Sequence, residues 1–343
     1  MIDDKLPHGR RSGRTRRAIL KSGGATAAAA VAMPLIGHFS SAYAAWPDRP
    51  IKLIVPFGPG GPVDVIARLM LPGLTEALGT SVFVENRPGA GGNIGNALVA
   101  RADPDGYTVL CTSSTFVINP MLYASVPYDP IKDFLPLADL AGSPTAFAVQ
   151  PSLGVKTVAE FVAFAKKRSG KLSYSHSGFA TPAHLAGEFF KIRAGIDMTA
   201  VPFGGGGPAV QSLMTGAVEM VSAALPAAHP HIRSGKLTGI GMTGEKRWFD
   251  LPEVPTIVEN GYPGFVVDTF TAMLVPAKTP QEIINRLTKE TVAILKRPDM
   301  QARLRAVGFE ASAGGPDALR ARIARELPMW KEIIQHAGIK PPN

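Results

Sequence analysis

The stretch Ile51-Lys52-Leu53-Ile54-Val55-Pro56-Phe57-Gly58-Pro59-Gly60-Gly61-Pro62-Val63-Asp64 decides the fold class. Ile51–Pro56 is an apolar run of strand length, and the Gly-Pro-Gly-Gly-Pro turn ends it. Beyond the turn, Val63, Ile66, Ala67, Met70, Leu74 and Leu78 fall on one helical face. A strand, a tight turn and an amphipathic helix make the opening of an α/β unit. The rhythm continues outward. Ser81–Glu85 reads as a strand, Pro88–Gly95 turns into a short helix around Ile94, Ala97 and Leu98, and Tyr107–Thr112 is a third strand. After Ala146–Gln150 it repeats. A capping box, Thr157 to Glu160, opens one helix, Lys171–Ser175 is a strand, and Pro182 starts a helix bearing Leu185, Phe189 and Ile192. Strands near Thr199–Phe203 and Ala217–Ser222 flank a short helix from Pro208, and Phe265–Val275 is a long β-rich stretch. The tail is helical, with Pro328 expected to kink or split the last helix. The fold class is α/β in two lobes of similar size.

Composition alone would point elsewhere. The 343 residues carry 36 Lys+Arg against 27 Asp+Glu, a net charge of +9, which usually raises nucleic acid as a partner. Five of those nine charges lie in residues 1–44, where Lys5, Arg10, Arg11, Arg14, Arg16, Arg17 and Lys21 oppose only Asp3 and Asp4. This basic stretch precedes a weakly apolar run, Gly23–Ile36, and then Ala42-Tyr43-Ala44, a small-x-small cleavage pattern. Thr15-Arg16-Arg17-Ala18-Ile19-Leu20-Lys21 resembles a twin-arginine export signal, with Ile19 in place of the usual Phe. The expectation is a periplasmic protein exported by the twin-arginine route and starting at Ala45, with no nucleic-acid partner. The single cysteine, Cys111, excludes an internal disulfide and any cysteine-rich zinc site, and its apolar strand reads as a burial site.

Four strand-to-helix loops share a polar, small-residue character: those after Pro56, Thr112, Ser175 and Phe203. Each alone is equally well a turn that needs glycine; together they point to one shared ligand site at strand carboxyl ends. None contains Lys or Arg, so an anion there would rest on backbone N–H groups, helix dipoles and hydroxyls. Gly89-Ala90-Gly91-Gly92-Asn93-Ile94-Gly95 is a poor match to a dinucleotide fingerprint, because its spacing is wrong and a Pro-containing turn separates it from the strand. Enzyme signatures are missing: the chain has no GxSxG, HExxH or CxxC. A Ser177/His184/Asp197 triad has no support in the spacing. His229 and His231 read as structural or solvent-facing. No metal site and no cofactor are expected.

Read together, the blocks resemble the Bordetella uptake gene (Bug) family, the periplasmic solute-binding subunits of tripartite tricarboxylate transporters. They are Trp46-Pro47-Asp48-Arg49-Pro50, Val84-Glu85-Asn86-Arg87-Pro88-Gly89, Pro104-Asp105-Gly106-Tyr107-Thr108, His184-Leu185-Ala186-Gly187-Glu188, and Pro252-Glu253-Val254-Pro255-Thr256. The resemblance implies a two-lobed, type II periplasmic-binding-protein (Venus-flytrap) fold, each lobe a mostly parallel sheet flanked by helices. One lobe would hold residues 45–146 and 272–343, the other residues 147–271. It implies a receptor and not an enzyme, gripping a small carboxylate for uptake through membrane transporter subunits. The alternatives are a sensing module for a sensor kinase and a secreted hydrolase. The chain would act as a monomer.

Carried over, the ligand-binding residues are Gly60, Gly61, Asp64, Ser113, Ser114 and Thr115 in one lobe. In the other they are Ser177, Gly178, Phe179, Ala180, Thr181, Gly205 and Gly206. This chain departs from the family in having Pro62-Val63 for Ser-Thr, Gly204 for Lys, and Ala223-Ala224 for Asp and a polar residue. The missing acid disfavours a ligand ammonium. Phe116, Phe179 and Phe203 could form an apolar wall, so the expected ligand is a carboxylate with an apolar or aromatic body.

Overall fold

The computed structural model of the chain describes residues 46–339, so the signal residues Arg16, Arg17, Ala42 and Ala44 lie outside the described part. The opening stretch folds as its pattern predicts. β1 (Ile51–Val55) is buried on both faces, and α1 (Pro62–Leu78) starts on Gly61 with Pro62 at its first position. Its stripe Val63, Ile66, Ala67, Met70, Leu74 and Leu78 is buried, and Gly79, at φ 71°, closes it in the left-handed conformation. β2 (Val82–Asn86), α2 (Asn93–Ala100), β3 (Thr108–Ser113) and α3 (Thr115–Leu122) follow, with β1 parallel to β2 on one side and to β3 on the other.

β4 (Phe134–Val149) runs 16 residues. It was legible only near its end, because Pro136, Asp139 and Pro144 look like turn residues. The strand accommodates them by register shifts between Pro136 and Ala138 and between Asp139 and Ala141. Beyond it lie α4 (Val158–Lys166), β5 (Ser173–His176), α5 (Pro182–Ala194), β6 (Thr199–Pro202), α6 (Gly206–Met214), β7 (Met220–Ala224), α7 (Leu225–Arg233) and β8 (Thr238–Met242). β9 (Asp268–Pro276), α8 (Gln281–Leu295), α9 (Pro298–Ala306), β10 (Glu310–Gly314) and α10 (Pro316–His336) complete the order.

The strands join in the order β2-β1-β3-β9-β4-β7-β5-β6, with β10 and β8 both pairing with β4. Each lobe has a parallel wing, β2-β1-β3 in one and β7-β5-β6 in the other; the antiparallel pairings come from β4, β8, β9 and β10. β4 pairs with β9 from Phe134 to Pro144 and with β7 from Thr145 to Val149, so it carries the chain from one lobe to the other, and β9 brings it back.

α10 is one continuous helix through Pro328, not two. Pro328 costs one backbone hydrogen bond, but Leu319, Ile323, Trp330, Ile333 and Ile334 are buried along both halves. Their burial, against β4, α3 and α5, outweighs that loss. Arg322 ties the helix to the crossing strand, sitting 3.1 Å from Asp139 Oδ2 and 2.7 Å from Glu326 Oε1.

α5 crosses β5 at a glycine. A Cβ on Gly187 would lie 2.2 Å from the Tyr174 ring, which is fully buried and held by a 2.7 Å hydrogen bond to Glu188. Gly187→Ala should therefore destabilise the chain by about 3 kcal/mol, read as a lowered denaturation midpoint at unchanged m-value. Wild-type stability for this variant would show that the ring can move aside.

Candidate functional site

The loop between β1 and α1 is built around Asp64. Asp64 is only 2% exposed, and its Oδ2 accepts from the Gly60 N–H (2.9 Å) and Arg68 Nε (2.9 Å). Its Oδ1 accepts from Asn86 Nδ2 (2.8 Å), which also reaches the Phe57 carbonyl (3.0 Å). Burial opposes its charge, but the hydrogen bonds from Arg68, Gly60 and Asn86 outweigh it and hold the carboxyl below its usual range. Both oxygens of Asp64 thus take part in shaping the loop. The Gly60 N–H is likewise engaged, and the Gly61 N–H meets the Gly58 carbonyl at 3.4 Å. The free donors are the next ones, Val63 N and Asp64 N, which make no hydrogen bond among the described residues. Arg68 and Asn86 were not singled out for chemistry from sequence. The signal was there: Arg68 is one turn after Asp64, and Asn86 ends the neighbouring strand.

At the carboxyl end of β3, Ser113, Ser114 and Thr115 do not form an open loop. All three are buried, and Ser114 passes directly into α3. Ser114 Oγ accepts from Phe270 N at 3.0 Å, fixing this corner to the returning strand β9. Ser113 Oγ and Thr115 Oγ1 lie 3.1 Å apart. The N–H groups of Thr115 and Phe116 have no partner among the described residues. The Phe116 side chain does not line the site. It is fully buried, stacked on Tyr128 at 5.5 Å and edge-on to Phe134 at 5.0 Å.

Behind these loops lies α2, with Ala97 buried. Ile94 and Leu98 are exposed, whereas Asn93 and Asn96 point inward. Asn119 Nδ2 donates to Asn93 Oδ1 (2.8 Å) and to the Gly91 carbonyl (3.0 Å), and Tyr128 OH receives Asn96 Nδ2 at 3.2 Å. These amides satisfy one another, so burial is permitted. The glycine loop at 89–92 is thereby fixed by protein groups.

In the second lobe, the loops after β5 and β6 touch: Phe203 N donates to the His176 carbonyl at 3.0 Å. Thr181 caps α5, its Oγ1 accepting from His184 N at 3.3 Å and donating to the Gly178 carbonyl at 2.8 Å. Ser177 Oγ donates to Thr181 Oγ1 at 3.3 Å. Ala180 has φ +61°, held by its N–H donating to His184 Nδ1 at 3.3 Å. The Ala183 N–H at the start of α5, and those of Gly206 and Gly207 at the start of α6, have no partner among the described residues. A Cβ on Gly206 would fall 2.7 Å from Ala227 Cβ, so this approach requires glycine. Phe179 and Phe203 are half-buried beside these turns; Ala223 is fully buried and Ala224 half-buried.

No triad assembles. Ser177 bonds Thr181, His184 bonds Ala180, and Asp197 is exposed beyond the end of α5. His229 pairs with Asp250 at 3.0 Å in a surface cluster with Arg233. Cys111 is fully buried, and burial pushes its thiol up to about 12, so it is inert. A cavity of about 1040 Å³ lies against the crossing strands and α10, lined by Pro144, Asp268, Arg322 and Glu326 among others and by none of the four loops. Among the described residues, no group of three His, Cys, Asp or Glu is placed to hold a metal, and no helix is long and apolar enough to cross a membrane.

The comparisons agree with this architecture. A family model described as tripartite tricarboxylate transporter family receptor (TctC) matches residues 66–339. Protein BugT of Bordetella pertussis is 34% identical over 297 residues, covering 86% of this chain and 91% of BugT. Among solved structures, R. palustris Rpa4515 with adipate is 34% identical at a TM-score of 0.79, covering 87% of this chain and 100% of that one. MatC (Rpa3494) from Rhodopseudomonas palustris with bound malate is 30% identical at a TM-score of 0.73, covering 84% of this chain and 99% of that one. A two-lobed α/β chain whose parallel wings end in helix N-termini, matched along nearly its whole described length by such receptors, belongs to the Bug family of periplasmic receptors of tripartite tricarboxylate transporters.

Proposed function

We propose that the chain binds a small carboxylate without an amino group between its lobes and delivers it to the membrane subunits of a tripartite transporter. The observation that carries this is the set of unpartnered N–H groups at four helix N-termini: Val63 and Asp64, Thr115 and Phe116, Ala183, and Gly206 and Gly207. Such termini attract anions through their N–H groups and helix dipoles. Charge-assisted hydrogen bonds of about 1.5–3 kcal/mol each can hold a carboxylate without a lysine or arginine in the loops. Two such walls, one per lobe, suit a ligand with a carboxylate at each end, in keeping with the adipate and malate bound by the two relatives. Half-buried Phe179 and Phe203 favour an apolar body, and Ala223-Ala224, in place of Asp and a polar residue, offer no acid to an ammonium.

On this reading the loop residues Gly60, Gly61, Ser113, Ser114, Thr115, Ser177, Gly178, Phe179, Ala180, Thr181, Gly205 and Gly206 shape or line the site, with Asp64 acting through the loop. The change of partner along β4 at Thr145 supports a lobe boundary near residue 146, and β9 pairs with the earlier part of β4 from Asp268 onward, a few residues before the return expected at 272. The twin-arginine route rests on Arg16 and Arg17, with cleavage after Ala44. The receptor would act as a monomer.

Thermal shift of the purified mature chain against a carboxylate panel tests the binding claim. A ligand at 100 times its dissociation constant should add about 2.7 kcal/mol of stability. Aliphatic dicarboxylates should shift the transition and aspartate should not; a flat panel contradicts the proposal.

A further inference from the structure

The ligand loop of the second lobe rests on two stacked imidazoles. His176 and His184 are 1% and 6% exposed, with ring centroids 4.2 Å apart. Their hydrogen bonds assign opposite tautomers. His176 Nδ1 is 2.9 Å from the Gly178 carbonyl and donates to it, whereas His184 Nδ1 accepts from the Ala180 N–H at 3.3 Å. Both rings are neutral. Burial, with His184 beside one and Lys191 near the other, pushes both down to about 4. Tyr174 packs on His176, Phe179 on His184, and Glu188 is engaged by Tyr174 and Lys191.

His184 occupies the third position of α5, after the Thr181 cap. The same slot is filled by glutamate at α4. There Glu160 N donates to the Thr157 cap hydroxyl (3.2 Å), and its carboxylate reaches back to the Lys156 N–H (2.7 Å). The turn at Thr256 repeats the pattern with Glu259, whose carboxylate accepts from the Thr256 N–H at 2.7 Å. At these two turns the slot holds an ordinary acidic capping residue. In the ligand loop before α1 the same slot holds Asp64, which accepts from the Gly60 N–H and whose charge Arg68 pairs at 2.9 Å. At Ser177–Thr181, with Ala180 at positive φ, the acceptor in that slot is uncharged and makes no ion pair among the described residues.

Resting on the carboxylate-receptor reading above, we infer that His184 is a positioning residue for the ligand. It supplies the back-bond that shapes the Ser177–Thr181 loop while keeping negative charge away from an anion site.

Three variants test this with adipate as the probe, by calorimetric titration and denaturant midpoint. His184→Gln keeps a neutral acceptor and should bind within about threefold of wild type. His184→Glu keeps the acceptor but adds the charge that Glu160 carries, and should bind at least about tenfold more weakly, with a midpoint close to that of His184→Gln. His184→Phe keeps the stack, loses the acceptor, and should lose both affinity and stability. Raising the salt concentration should narrow the Gln–Glu difference, which a purely structural role would not produce. Equal binding by the Glu and Gln variants overturns the inference. Should the Glu variant fail to fold, equal binding by the Gln and Phe variants would also overturn it. If wild type binds none of the carboxylates in the panel, the receptor reading fails instead.

Discussion

Asp64→Ala is expected to weaken carboxylate binding by at least about a hundredfold and to lower stability by about 3 kcal/mol. The carboxylate is 2% exposed and joins three partners from different parts of the chain: the Gly60 N–H, Arg68 and Asn86. Truncation leaves the Gly60 N–H and the Asn86 amide without their acceptor, and stranded donors cost more than the bonds contribute when made. Arg68 is half-exposed and regains water, so its loss adds little to the stability change. Binding suffers more because Asp64 sets where the Val63 and Asp64 N–H groups point. Asp64→Asn should be milder, since it retains one acceptor oxygen for Gly60 or Asn86. Titration calorimetry with guanidinium denaturation separates the two effects. Unchanged affinity in Asp64→Ala would mean that the loop holds its shape unaided.

The second large effect is a dependence on pH set by Asp268. Asp268 stands where β9 crosses back between the lobes. Its Oδ1 is buried with no hydrogen-bond partner among the described residues. Burial raises its carboxyl, Arg322 opposes, Glu326 and Glu245 reinforce, and the result is about 7 against an ordinary 3.8. Between those values the folded chain holds a proton that the unfolded chain has lost, so this group subtracts stability as pH rises from about 4 to 7. Asp268→Asn mimics the protonated form. It should match wild type below pH 4 and exceed it by on the order of 3 kcal/mol at pH 8. Denaturant midpoints across that range check this. The stacked histidines carry the opposite sign: with values depressed to about 4, they cost stability as pH falls from 6.5 towards 4. Because the variant and wild type share those histidines, the difference between Asp268→Asn and wild type isolates the aspartate. A constant difference at every pH would contradict a charged, buried Asp268.

Much of the fold could be read from local pattern. The β1–α1 stripe, the caps at Thr157 and Thr181, and glycines at strand ends report constraints that neighbouring residues impose on each other. Features set by distant partners could not. Asp139 in β4 is tolerable because Arg322, 183 residues later, meets it. The inward asparagines of α2 depend on Asn119 and Tyr128, and Gly187 on the ring of Tyr174. The site divides the same way. Its four loops follow from strand-helix spacing, but the roles within them do not. Asp64 reads as a ligand contact, and its role as an anchor of the loop is set by Gly60, Arg68 and Asn86; Phe116 reads as a wall and is core.

The central claim is that helix N-termini, and no formal cation in the four loops, hold a ligand carboxylate between the lobes. The most direct measurement is titration calorimetry of the mature chain with adipate, its monomethyl ester and aspartate. Adipate should bind, masking one carboxylate should weaken binding by about tenfold or more, and aspartate should bind more weakly than adipate. Equal binding of adipate and its ester, or a preference for aspartate, would contradict it.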